Sequence, residues 1–105
     1  MAEISTEEKH LMASVEDAVC SYFDVSVSKV VSKDLKNESV MARNYIFYIL
    51  HHDLRISVSK IAYEYSRQER SVKAQVAKMR VCVKSNKVYK TIHDTLLESI
   101  TKGGK

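Results

Sequence analysis

At 105 residues, 45% of them hydrophobic and 29% charged, the chain is sized for one domain around one modest core and is too apolar to be disordered throughout. It has no proline, and its two glycines stand together at Gly103 and Gly104, which excludes a β-sandwich with Gly/Pro turns in favour of helices joined by short polar turns. The net charge of +4 conceals an uneven chain: residues 1–54 hold nine acidic against five basic side chains, whereas residues 55–90 hold ten basic against two acidic.

No apolar run approaches the roughly 18–20 residues that span a bilayer, and the opening MAEISTEEKH is too acidic for a signal peptide. The expected setting is the cytoplasm, with no membrane partner. Cys20 and Cys82 are isolated thiols without a CxxC motif, as in a reducing compartment.

Ser5-Thr6-Glu7-Glu8 has the capping-box arrangement, with Ser5 three residues ahead of Glu8. It predicts a helix that carries Leu11, Val15, Ala18, Val19 and Tyr22 on one side and ends near Phe23-Asp24. Ser26 then heads a short apolar turn containing Val27, Val30 and Val31, and the segment from Ser32 to Glu38 reads as an exposed charged loop. From about Ser39 to Asp53 a further helix is expected, in which Tyr45 to Leu50 is apolar on nearly every side. A helix of that kind is buried on several faces, so the hydrophobic centre belongs here. Its length also suits a buried strand, but the chain offers no partner strands.

Arg55 to Val83 predicts a helix, a tight turn and a longer helix. Val58, Ile61, Ala62 and Tyr65 form one apolar stripe behind a capping Ser57, and Val72, Val76, Met79 and Val83 form a second. Ser66 to Glu69 leaves room only for a turn, so the two helices must cross steeply, as in a helix-turn-helix spanning about residues 57–84. Arg67, Arg70, Lys73 and Lys78 fall mainly on faces away from the second stripe. A solvated helical hairpin would satisfy this pattern. A recognition helix in the major groove of DNA would satisfy it together with the concentration of positive charge around it, because neutralising phosphates releases counterions. After Ser85-Asn86 a last helix is predicted from about Lys87 to Thr101, followed by a fraying tail at 102–105.

Converging catalytic groups are missing. His51 and His52 are adjacent and point about 100° apart on a helix, unlike an i, i+4 metal pair, and His93 lies on an apolar stripe. There is no Gly-rich phosphate loop or nucleophile motif. Neither an enzyme nor a metal or other cofactor site is expected.

With these elements placed, residues from about Ser14 to Met79 resemble the C-terminal DNA-binding domain of the bacterial replication initiator DnaA, of the Trp-repressor-like helical group. The likeness lies in VEDAVCSYFDVSVSKVVSK (15–33), in SVMARNYIFYIL (39–50), where Arg43 and Asn44 fall at the family's Arg-Gln pair, and in ISVSKIAYEYSR (56–67). In the last of these Ser57, Ile61 and Tyr65 match the family's Ser-Leu-x-x-Ile-Gly-x-x-Phe-Gly helix, with Ala62 replacing a glycine. The segments cover about two thirds of the chain. At the start of the recognition helix Gln68 and Glu69 stand where the family has Asp and His, and Leu35 falls at its minor-groove arginine, with Lys33 and Lys36 as nearest substitutes. The family's ATPase portion has no counterpart, so a stand-alone reader or a fragment is expected.

The resemblance implies a compact all-α bundle of five to six helices and a protein that binds double-stranded DNA, in replication initiation or its regulation or in transcription control, with a replication or regulatory protein as a further partner. Arg67, Gln68, Arg70, Ser71 and Lys73 are the expected base readers, and Arg43, Lys60, Lys78 and Lys36 the expected phosphate contacts. The rival expectation is a protein-interaction module that keeps the fold without base readout.

Overall fold

Ser5 begins the first helix as expected: its hydroxyl accepts from the Glu8 N–H at 3.1 Å while the Glu8 carboxylate accepts from the Ser5 N–H at 3.0 Å. In the computed structural model, which describes residues 4–32 and 36–103, this capping box opens α1 (Thr6–Phe23). Then come α2 (Val27–Val31), α3 (Asn37–Tyr48), a π-helical turn (Ile49–Asp53), α4 (Val58–Glu64), α5 (Glu69–Ser85) and α6 (Lys87–Gly103). The described residues hold no strand, and the architecture is an all-α bundle. Among them no helix is long and apolar enough to cross a membrane.

The centre lies where the unbroken apolar block placed it. Every side chain from Tyr45 to Leu50 is buried, and α3 packs against α1, α2 and α5. Both apolar stripes of the basic half are buried as well, apart from the half-buried Val58. Helix α6 closes the bundle against α5 and α1, and the Tyr45 hydroxyl on α3 donates to the Tyr89 carbonyl on α6 at 3.0 Å. Burial among apolar neighbours is the main reason that the Tyr45 phenol is held well above its ordinary pKa.

Three elements differ from the sequence expectation. The short apolar turn is a helix, α2, because Ser26 caps it by accepting from the Lys29 N–H at 3.3 Å. Helix α3 starts at Asn37, so Asn37 and Glu38 form its first turn, where an acidic residue complements the helix dipole. Helix α6 continues through Lys102 and Gly103, past the expected start of fraying. Lys33, Asp34 and Leu35 of the expected loop, with Lys33 as an expected stand-in for the minor-groove arginine, lie outside the described residues, as do Gly104 and Lys105 of the tail.

The turn between α4 and α5 is tightly specified. The Arg67 N–H donates to the Ala62 carbonyl at 2.8 Å and the Ser66 N–H to the Tyr63 carbonyl at 3.3 Å, the paired closure that ends a helix when one residue turns left-handed. That residue is Ser66, at φ 54°, where glycine would be the unstrained choice. Ahead of it Ser57 caps α4 by accepting from the Lys60 N–H at 3.3 Å. Tyr65 anchors the end of α4 in the core, and its hydroxyl donates to the Glu16 carboxylate on α1.

Candidate nucleic-acid interface

The nine expected contact residues divide by what their side chains already do. Arg43 is buried, with 5% of its surface exposed, and its guanidinium reaches back to the end of α2. Nε donates to the Val30 carbonyl at 2.8 Å, and the same group donates to the carbonyls of Ser32 at 3.0 Å and Lys29 at 3.4 Å. The last carbonyls of a helix have no intrahelical partners, and a cation there is favoured by the helix dipole. Arg43 therefore pins α2 to α3, and its expected place at a phosphate is corrected: the charge is spent inside the fold.

Lys60 is also engaged. Its ammonium lies 2.9 and 3.1 Å from the two oxygens of Glu8, joining α4 to the first turn of α1. The Ser5 N–H first, and Lys60 next, hold the Glu8 carboxyl below its ordinary pKa. Arg67 joins Arg43 at the end of α2. One of its terminal nitrogens donates to the Ser32 carbonyl at 2.5 Å and to that of Val31 at 3.3 Å. The expectation that Arg67 projects freely into a groove is corrected to a half-buried tether between the α4–α5 turn and α2.

The other residues are presented outward. Gln68, Arg70, Ser71, Lys73 and Lys78 are exposed, and so is Lys36 just ahead of α3. Arg70, Lys73 and Lys78 have no carboxylate within ion-pair distance among the described residues. Helix α5 begins without a side-chain cap on its free N–H groups, and Glu69 is the acidic residue in that first turn. Beside it a cleft of about 490 Å³ is lined by Phe47, Ser66, Arg67, Gln68, Ser71 and Gln75. Arg67 Nε and Gln75 Oε1, a donor and an acceptor, are buried there without a hydrogen-bond partner among the described residues. The start of α5 thus offers the Arg70 guanidinium, an amide, a hydroxyl and uncapped backbone donors within a few residues of one another along the chain. That combination suits anionic and hydrogen-bonding surfaces better than apolar ones.

A second grouping was missed in the sequence. The π-helical turn carries Asp53 to α6, where its carboxylate lies 2.7 Å from His93 Nε2 and its other oxygen 3.3 Å from His52 Nδ1. Burial would raise the Asp53 pKa, but the bonds from His93 and His52 outweigh it and hold the carboxyl below its ordinary value. The His52 ring stacks on Tyr48 with centroids 4.8 Å apart. These rings sit in a groove of about 470 Å³ that Arg80 and Lys84 of α5 and Lys90 of α6 also line. The overlooked signal was the spacing of Lys73, Arg80 and Lys84, which at 100° per residue fall within about 40° of one another around the helix. Among the described residues no group of three or more His, Cys, Asp and Glu side chains is placed to hold a metal ion.

Set against known proteins, the chain matches no protein-family model and no curated protein sequence. The functional reading therefore rests on the charges, the geometry and the residues that carry the initiator-like likeness.

Proposed function

We propose that the protein is a non-enzymatic reader of double-stranded DNA whose α4–turn–α5 unit acts as a helix-turn-helix, with the first turns of α5 in the major groove. The observation that carries this reading is the set of outward groups at the start of α5 that have no side-chain partner among the described residues: Gln68, Arg70, Ser71 and Lys73, on a helix whose opposite face is fixed in the core. Arg70 can grip guanine O6 and N7, and Gln68 can grip adenine N6 and N7, both in bidentate fashion. Lys78 and Lys36 suit phosphate, which sets position without reading sequence. Arg67 has the different task of holding the turn against α2, so that the reading groups start from a fixed backbone. The likeness of residues 14–79 to the initiator's DNA-binding domain supports the same assignment, in replication initiation or its regulation, or in transcription control.

Glu69 favours a second reading, a protein-interaction module, because an exposed carboxylate at the head of α5 repels phosphate unless it accepts from cytosine N4. The exposed Val81 (64%) and Val88 (65%) near the junction of α5 and α6 would then meet a protein partner, which could itself be a replication or regulatory factor. Titration with a mixed-sequence duplex at several salt concentrations separates the two. A DNA reader shows log K falling linearly with log salt, and a protein module shows neither appreciable binding nor a slope.

A further inference from the structure

The positive charge on α5 does not stop at the end proposed to read bases. Lys73, Arg80 and Lys84 form one flank of the helix, with Arg70 at its leading edge, and from Arg70 to Lys84 the flank runs about 21 Å at 1.5 Å per residue. The major groove is only about 12 Å wide, so a helix with its first turns among the bases carries its last turns out to a sugar–phosphate strand. At that far end lies the groove formed by Tyr48, His52, Arg80, Lys84 and Lys90.

Asp94, which lines this groove, and Asp53, bonded to two histidines that line it, are already matched. Asp53 is held by His93 and His52, and Asp94 lies 3.6 Å from Lys90 and 4.0 Å from His93 Nδ1. Arg80 and Lys84, by contrast, have no carboxylate within ion-pair distance among the described residues, and both are exposed. Two unneutralised cations four residues apart repel one another on an isolated helix. Bringing a phosphate between them turns that repulsion into attraction.

We infer that the groove between the end of α5 and the start of α6 is a second contact site, in which Arg80 and Lys84 grip the phosphodiester strand that borders the major groove. This rests on the reading of the protein as a duplex binder, and it adds a second anchor at the opposite end of the same helix. The stacked Tyr48–His52 pair lines the same groove as the cations, together with Lys90, which is shared with Asp94. A strand held there adds affinity for any duplex and carries no sequence information.

The test is the salt dependence of duplex binding by the unmodified protein and by the double variant Arg80→Gln/Lys84→Gln, with Lys102→Gln, an exposed lysine at the far end of α6, as the charge control. Both sites are exposed, and a thermal melt verifies that the variant folds. Loss of two phosphate contacts should make the slope of log K against log salt shallower by about 1.8, so that between 200 and 50 mM salt the unmodified protein gains about twelvefold over the variant. The ranking of duplex sequences stays as it was, and Lys102→Gln changes neither quantity. An unchanged slope in a protein that does bind duplex would overturn the second anchor and leave the base-reading end standing. A changed sequence ranking would overturn it too, by making Arg80 or Lys84 a base reader. No duplex binding by the unmodified protein would overturn both readings.

Discussion

The cations of α3, of α4 and the turn after it, and of α5 are similar residues put to different purposes. On the inner side Arg43, Lys60 and Arg67 meet carbonyls or a carboxylate of neighbouring helices, whereas on the outer side Arg70, Lys73 and Lys78 meet nothing among the described residues. The first group makes the scaffold, and the second leaves its charge available to a partner. A cation counted in a sequence is thus not yet a cation offered to a ligand. What separates the groups is whether an acceptor on another helix, a terminal carbonyl for Arg43 and Arg67 or a carboxylate for Lys60, lies within reach.

The sharpest way to break this division is to remove one residue from each side. Arg43→Ala should cost about 2–4 kcal/mol of folding stability, because it removes a buried group that ties α3 to α2 and takes the Arg43 donor from the Val30 carbonyl. A urea melt would read this as a lower midpoint, and an unchanged midpoint would mean that Arg43 is no structural tie. Arg70→Ala should leave the melt unmoved and lower duplex affinity by about 1–3 kcal/mol, mainly at sites carrying its preferred base.

Smaller effects sharpen the comparison at the turn itself. Ser66→Gly should raise stability by about 0.5–1 kcal/mol, since glycine accepts the left-handed backbone without a Cβ penalty; a loss of stability would indicate that the serine side chain has a role of its own there. Lys60→Ala should show only a weak coupling to Glu8→Ala in a double-mutant cycle and barely affect duplex binding, because its charge is paired. A uniform loss of affinity for all duplexes, with no coupling to Glu8, would return Lys60 to the phosphate-binding set.

Glu16 supplies the smallest change and a pH signature. Burial, chiefly, holds its carboxyl above the ordinary value despite the bond from Tyr65, and the neighbouring Glu64 and Asp17 charges add to the rise. A raised acid contributes stability that is present below its unfolded pKa and lost as pH rises through the folded one. Glu16→Gln keeps an acceptor for the Tyr65 hydroxyl without the buried charge. The variant should therefore melt later than the unmodified protein at pH 7, and the gap should narrow as pH falls through the raised folded value and be closed by about pH 4, near the ordinary glutamate pKa. A gap independent of pH would assign the effect to packing.

How far the sequence led follows from the range of each interaction. The capping box at Ser5, the apolar block at Tyr45 to Leu50 and the stripe of Val72, Val76, Met79 and Val83 are local or periodic signals, and each of these elements lies where expected. The start of α3 and the length of α6 were misjudged where polar residues carry no periodic signal. Arg43, Lys60 and Arg67 were placed on the surface because their partners lie 11–14, 52 and 35–36 residues away, beyond any spacing rule. The groove at Arg80 and Lys84 escaped for a related reason: it exists only where α5, α6 and the π-helical turn meet.

The central claim is that the exposed cations leading α5 read DNA bases. Selection of bound duplexes from a random pool, by the unmodified protein and by Arg70→Ala, addresses it most directly. The account predicts a defined preferred sequence for the unmodified protein and a loss of preference at one position, a guanine, for the variant. A pool that stays random, or the same preference from both proteins, would contradict it.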